Sequence, residues 1–141
     1  MIGIVLITHG RIGQSMLEVA TRLVEIQRDY IQVVSSCSYD QPELLLRVEN
    51  AFKSMPDCDG FLVLTDLFGA TPTNVTQSFM RGAYHLAVIT GLNMPMLLKA
   101  LTYHKQALSL DELAERVYDT SKACIVLEEK MISERNANER D

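Results

Sequence analysis

Apolar residues open the chain as one unbroken run, Ile2-Gly3-Ile4-Val5-Leu6-Ile7. A short run with no alternation fits a strand covered on both faces. The polar Thr8-His9-Gly10 stops it. From Gly13 to Arg28, Met16, Ala20, Leu23 and Val24 recur at helical spacing, which predicts a helix. Ile31 to Val34 reads as a second strand. Asp40 with Glu43 three residues on is a capping box, in which the carboxylate accepts from free amides and the glutamate reaches back. The helix it opens buries Leu45, Val48, Phe52 and Met55. Pro56 to Gly60 form a turn, and Phe61-Leu62-Val63-Leu64 is a third buried strand ending at Thr65-Asp66. Thr71 before Pro72 reads as an N-cap and first helical residue, with a helix to Met80. His85 to Thr90 is a fourth strand, and Pro95 starts a helix through Leu101. Ser109 with Glu112 is a second capping box for a last helix along Leu113 and Val117. Residues 128–141 are charged and read as a frayed tail behind a domain spanning 1–127. Ile125 to Leu127 carry the alternative of a short strand.

Strands alternating with helices imply an α/β domain: a doubly wound, mostly parallel sheet of four strands, with a fifth if Ile125 to Leu127 pairs, and helices on both faces. In such sheets ligands sit beyond the carboxyl ends of the strands, where strand order reverses. A flavodoxin-like order sets the first strand beside the third. The loops after them carry His9 and Asp66, which are far apart in sequence and should meet in space.

Composition narrows the classes. The 141 residues suit one domain, 48% of them are hydrophobic, and the net charge is -5. A nucleic-acid partner would favour a basic surface, and no basic stripe is present. Apolar runs fall short of the roughly 20 residues of a membrane span. The opening run lacks the basic flank and cleavage site of a signal peptide. Cys37, Cys58 and Cys124 fit no ligand spacing and read as buried free thiols in a reducing compartment, which places the chain in the cytoplasm. The seven methionines read as core filler.

Neutral imidazole is a nucleophile whose two nitrogens have separable roles. One nitrogen of His9 could attack phosphorus while the other donates to Asp66, which would hold the tautomer and balance the charge growing on the ring. Gly10 would allow close approach of a phosphate. Thr71 and the amides after Pro72 would receive the phosphoryl oxygens. Taken alone, His9 is equally well a hydrogen-bonded surface residue, Asp66 a turn cap and Thr71 an N-cap; their convergence favours chemistry. His85 enters a strand at the wrong edge, and His104 lies in a helix end or loop, so both read as structural or solvated. Scattered histidines without a Cys or His pair argue against a metal centre, and neither a cofactor nor a nucleotide loop is indicated.

Three motifs stand on successive carboxyl-end loops: Ile4 to Gly10; Leu64-Thr65-Asp66-Leu67-Phe68-Gly69-Ala70-Thr71-Pro72-Thr73-Asn74; and Thr90-Gly91-Leu92-Asn93-Met94-Pro95-Met96-Leu97. Together they resemble the mannose family of IIA components of the sugar phosphotransferase system, over Met1 to about Leu127. The resemblance implies a cytoplasmic phosphocarrier that takes a phosphoryl group from phospho-HPr and passes it to a IIB component by in-line transfer. By resemblance, His9 is phosphorylated, on Nε2, with Nδ1 facing the carboxylate of Asp66. Thr71 stands where the family often has a serine that contacts the phosphoryl group. A homodimer is implied, with an exchanged edge strand for which Ile125 to Leu127 would serve. The family's common Asp-Thr-Trp-Gly-Gly-Ser is Asp66-Leu67-Phe68-Gly69-Ala70-Thr71 here, which leaves the chemistry intact and opens the question of partner and sugar. IIB is expected on a separate chain, with a membrane permease reached only through it. A regulatory phosphorylation-state sensor and a phosphoryl donor to a dihydroxyacetone kinase are the alternatives. A receiver domain phosphorylated on Asp66 lacks the acidic pair after the first strand, since Thr8-His9 stands there; a binding module without turnover is the remaining reading.

Overall fold

The computed structural model describes residues 1–36, 40–67, 76, 79 and 82–140. Four strands, β1 (Ile2–Thr8), β2 (Ile31–Ser35), β3 (Gly60–Thr65) and β4 (Leu86–Thr90), form one parallel sheet in the order β2-β1-β3-β4. Five α-helices accompany them among the described residues: α1 (Ile12–Ala20), α2 (Gln41–Lys53), α3 (Met94–Tyr103), α4 (Leu110–Ala123) and α5 (Glu128–Arg140). The sheet is of the flavodoxin-like kind, with β1 paired to β3 from Ile2↔Gly60 to Ile7↔Thr65.

The unbroken apolar runs are explained by burial on both faces. Ile4, Leu6, Leu62 and Leu64 point into one core with Ala20 of α1, Leu97 and Leu101 of α3, and Leu113 and Val117 of α4. Val5, Ile7 and Val63 point the other way, against Leu44, Val48 and Phe52 of α2. Each fully buried aliphatic side chain contributes on the order of 1.5–3 kcal/mol. Two of the three predicted N-caps form: Asp40 Oδ1 accepts from Glu43 N at 2.9 Å, and Ser109 Oγ accepts from Glu112 N at 3.1 Å; the third, Thr71, lies outside the described residues.

Several expectations need correction. Helix α1 stops at Ala20 instead of Arg28. The Thr21 hydroxyl donates to the Glu18 carbonyl at 2.6 Å, and Arg22 and Leu23 make i→i−3 bonds that tighten the chain out of the helix. Leu23, expected in the buried stripe, is exposed. On α2 the fully buried leucine is Leu44, while Leu45 is only half-buried. Glu43 accepts from Arg47 at 3.3 Å, so this side chain turns along the helix. Residues 128–140 form α5 where a frayed tail was expected, with Lys130 and Glu134 paired at 4.0 Å; helix-forming Glu, Lys, Met and Arg suffice for this without an apolar face. Residues 125–127 add no strand within the chain. Cys124 is exposed and Cys58 half-buried, against the expectation of buried thiols, and Cys37 lies outside the described residues. Of the helix expected over Thr71 to Met80, only Thr76 and Phe79 are described, both helical.

Candidate functional site

The site begins with how β1 ends. Thr8 is fully buried, and its Oγ1 accepts from Gly13 N at 2.8 Å. A Cβ on Gly13 would stand 2.8 Å from that oxygen, so the close seating of α1 on the strand end requires glycine. On its other side, the Thr8 carbonyl accepts from Ser36 N at 2.8 Å and from Ser36 Oγ at 3.1 Å. Between these anchors the chain reverses at Gly10, whose φ of +50° lies in the left-handed region open to glycine. Ile12 N then donates to the His9 carbonyl at 3.2 Å. His9 therefore rides on a short turn pinned at both ends.

Adjacent pairing of β1 and β3 brings Asp66 to it. His9 N donates to Asp66 Oδ2 at 2.9 Å, and His9 Nδ1 lies 3.1 Å from both carboxylate oxygens. The Asp66 side chain is 9% exposed and that of His9 35%. One carboxylate thus holds both the backbone and the ring of the histidine. A carboxylate can only accept, so Nδ1 carries the proton of this bond, and the neutral ring keeps its lone pair on Nε2. The arrangement suits a nucleophilic nitrogen whose developing positive charge is met by a fixed, largely desolvated anion. Among the described residues, nothing within 4 Å would meet a Cβ placed on Gly10.

Thr71, expected at the phosphoryl oxygens, lies outside the described residues, as do Phe68, Gly69 and Ala70. The third motif proves to be a turn and a cap. Gly91 has φ +88°, Leu92 N donates to Thr65 O at 2.9 Å, and Asn93 Oδ1 caps α3 by accepting from Met96 N at 2.9 Å. Asn93 was missed as a cap, although an Asn two residues before Pro95 is the available signal. His85 stands at the entry of β4, away from the site. His104 is fully buried at the opposite end of the sheet, its Nδ1 2.8 Å from the Ile2 carbonyl. Burial pushes its pKa below the ordinary imidazole value, with the bond to Ile2 opposing. Among the described residues its Nε2 has no partner, and neither does Thr65 Oγ1. Among the described residues, no group of three or more His, Cys, Asp or Glu is placed to hold a metal ion. No described helix is long and apolar enough to cross a membrane.

Known proteins share this architecture and sequence. A PTS system mannose-specific EIIAB component of Escherichia coli is 29% identical over 122 residues, which cover 86% of this chain and 38% of that protein. The chain thus spans about two fifths of that relative's length. A PTS system fructose-specific EIIA component of Bacillus subtilis is 26% identical over 113 residues, 80% of this chain and 77% of that protein. Among solved structures, phosphotransferase system component EIIA from Streptococcus agalactiae superposes with a TM-score of 0.78 at 26% identity, covering 92% of this chain and 99% of that one. The mannose/sorbose-specific IIA subunit from Enterococcus faecalis gives a TM-score of 0.74 at 27% identity, covering 89% and 93%. The family model EIIA-man, described as PTS system fructose IIA component, matches residues 3–118, and the chain belongs to that family.

Proposed function

We propose that this chain is a phosphoryl carrier: His9 Nε2 accepts a phosphoryl group from phospho-HPr and yields it to a IIB component in the cytoplasm. The observation that carries the reading is the carboxylate of Asp66 set 3.1 Å from His9 Nδ1, on the ring nitrogen opposite the one left to react. As Nε2 attacks phosphorus in line, its lone pair forms the new P–N bond and the donor imidazole leaves with the old bonding pair. The accepting ring becomes cationic, and Asp66 stabilises it through the Nδ1 proton. Little covalent work falls to the surroundings, so positioning and charge dominate. Gly10 and Thr71 are assigned to the phosphoryl oxygens.

A homodimer fits the exposed apolar surface. Ile125 is 77% exposed, with Val126, Leu127, Met131 and Ile132 also uncovered. At the β4 edge, Val88 and Thr90 are only half-buried. Covering β4 of a second copy with residues 125–127 would remove both from water.

The test is incubation with phosphoenolpyruvate, enzyme I and HPr. The expected product is an acid-labile, base-stable phosphate that is absent from His9→Ala. Label retained in His9→Ala, or an acid-stable, base-labile adduct, would refute the assignment.

A further inference from the structure

Among the described residues, strand β2 is an edge of the sheet, paired only with β1. Two hydrogen bonds set the direction of its backbone groups. Ser36 N donates to Thr8 O at 2.8 Å, toward β1, whereas Ile31 N donates to Arg28 O. Backbone groups alternate in direction along a strand. Gln32 and Val34 therefore face β1, and the N–H and C=O groups of Val33 and Ser35 face outward. No other part of the described chain takes up these outward groups.

They lie in a groove of about 420 Å³. Residues 32–35 form its floor, Arg11 and Gln14 one wall, and Arg47 and Asn50 of α2 the other. Helices α1 and α2 pack on opposite faces of the sheet, so the groove straddles the strand edge. Among the described residues two arginines and no carboxylate line it, in a chain of net charge -5. The Arg11 side chain is 78% exposed. The arginines pair with Glu18 at 3.8 Å and Glu43 at 3.3 Å, exposed pairs with which an incoming carboxylate can compete. One end of the groove is Gly10, next to His9.

We infer that this groove receives an extended, acidic segment of a partner protein. The segment would pair with the outward groups of Val33 and Ser35 as an added strand and set carboxylates against Arg11 and Arg47. Strand addition draws affinity from main-chain bonds and selectivity from the flanking side chains. A second copy would bring two more arginines to the groove, which like-charge repulsion opposes. The chain's own residues 125–127 follow α4, which packs over β3 and β4 and so leaves them toward the other edge. Binding here concerns the unphosphorylated chain and does not rest on phosphoryl transfer, so either reading can fail alone.

The test is a titration of the full-length, isotope-labelled protein with a capped six-residue peptide alternating valine and glutamate, followed by amide NMR. Saturable shifts and slowed exchange are expected at Val33 and Ser35, with binding about tenfold weaker when lysine replaces glutamate in the peptide. The double variant Arg11→Glu, Arg47→Glu should prefer the lysine peptide. Ser35→Pro removes an outward N–H, leaves the β1 ladder intact and should abolish binding. If that variant unfolds, the charge reversal decides. The inference is overturned by no response at Val33 and Ser35, or by equal response to both peptides. It is also overturned if free glutamate or inorganic phosphate reproduces the shifts, or if they appear on concentrating the protein alone.

Discussion

Replacing Asp66 by Asn isolates the charge that the site sets beside His9. The amide oxygen of Asn can still accept from His9 N, so the turn keeps its backbone bond, which now has a length of 2.9 Å. What disappears is the anion facing Nδ1 at 3.1 Å, 9% exposed on the carboxylate side. Hydrogen bonds to charged groups are worth about 1.5–3 kcal/mol. The ring becomes cationic only as phosphorus is transferred, so most of this is lost in the transition state. Because the proton is shared between two oxygens at moderate length, about 2 kcal/mol is a fair value, or roughly a 30-fold slower transfer. An Asn that turned its NH₂ toward Nδ1 would favour the wrong tautomer and slow the reaction further. Single-turnover transfer from labelled phospho-HPr, stopped by rapid quench, measures the rate. A rate for Asp66→Asn within twofold of the parent would refute the electrostatic role.

Three other expectations follow from the packing. Burial lowers the His104 pKa, so the folded chain binds this proton less readily than the unfolded chain does. The His104 contribution to stability is complete above about pH 6.5 and declines as pH falls below it, by up to about 1.4 kcal/mol per unit. Urea unfolding across pH should show this acid-side loss, and His104→Gln should flatten it. Gly13→Ala places a methyl 2.8 Å from Thr8 Oγ1 and 3.2 Å from Val33 Cγ1, and overpacking of this kind should cost about 1–3 kcal/mol in chemical denaturation. Asn93→Ala removes the α3 cap and the 3.3 Å bond from Asn93 Nδ2 to the Ser121 carbonyl; a loss of about 1–2 kcal/mol is expected, and a midpoint unchanged from the parent would show the cap to be dispensable.

The parts of the fold written in local pattern were legible. The run Ile2 to Ile7 announces a strand buried on both faces, and Asp40 and Ser109 announce their helices by short-range capping chemistry. The meeting of His9 and Asp66 followed from strand order, because β1 and β3 are neighbours. Features set by competition or by distance were not legible. Nothing in the periodicity shows that the Thr21 hydroxyl will divert α1. Leu44, Leu45 and Leu46 stand in succession, so helical phase on α2 is settled only by which of them meets the sheet. The segment forming α5 is mostly polar, with Met131 and Ile132 as its only large apolar residues, and so carries no periodic signal. The burial of His104 depends on Ile2, 102 residues away. The groove beside Arg11 exists only once two helices flank an open strand edge.

The central claim is that His9 Nε2 carries the phosphoryl group while Nδ1 stays bound to Asp66. Phosphorus NMR of the intact, phosphorylated protein, with the site confirmed by peptide mapping, tests it in one sample. A single phosphohistidine signal of the Nε2 type, mapping to His9, is the predicted result. A signal of the Nδ1 type, or phosphate mapping to any residue other than His9, would contradict it.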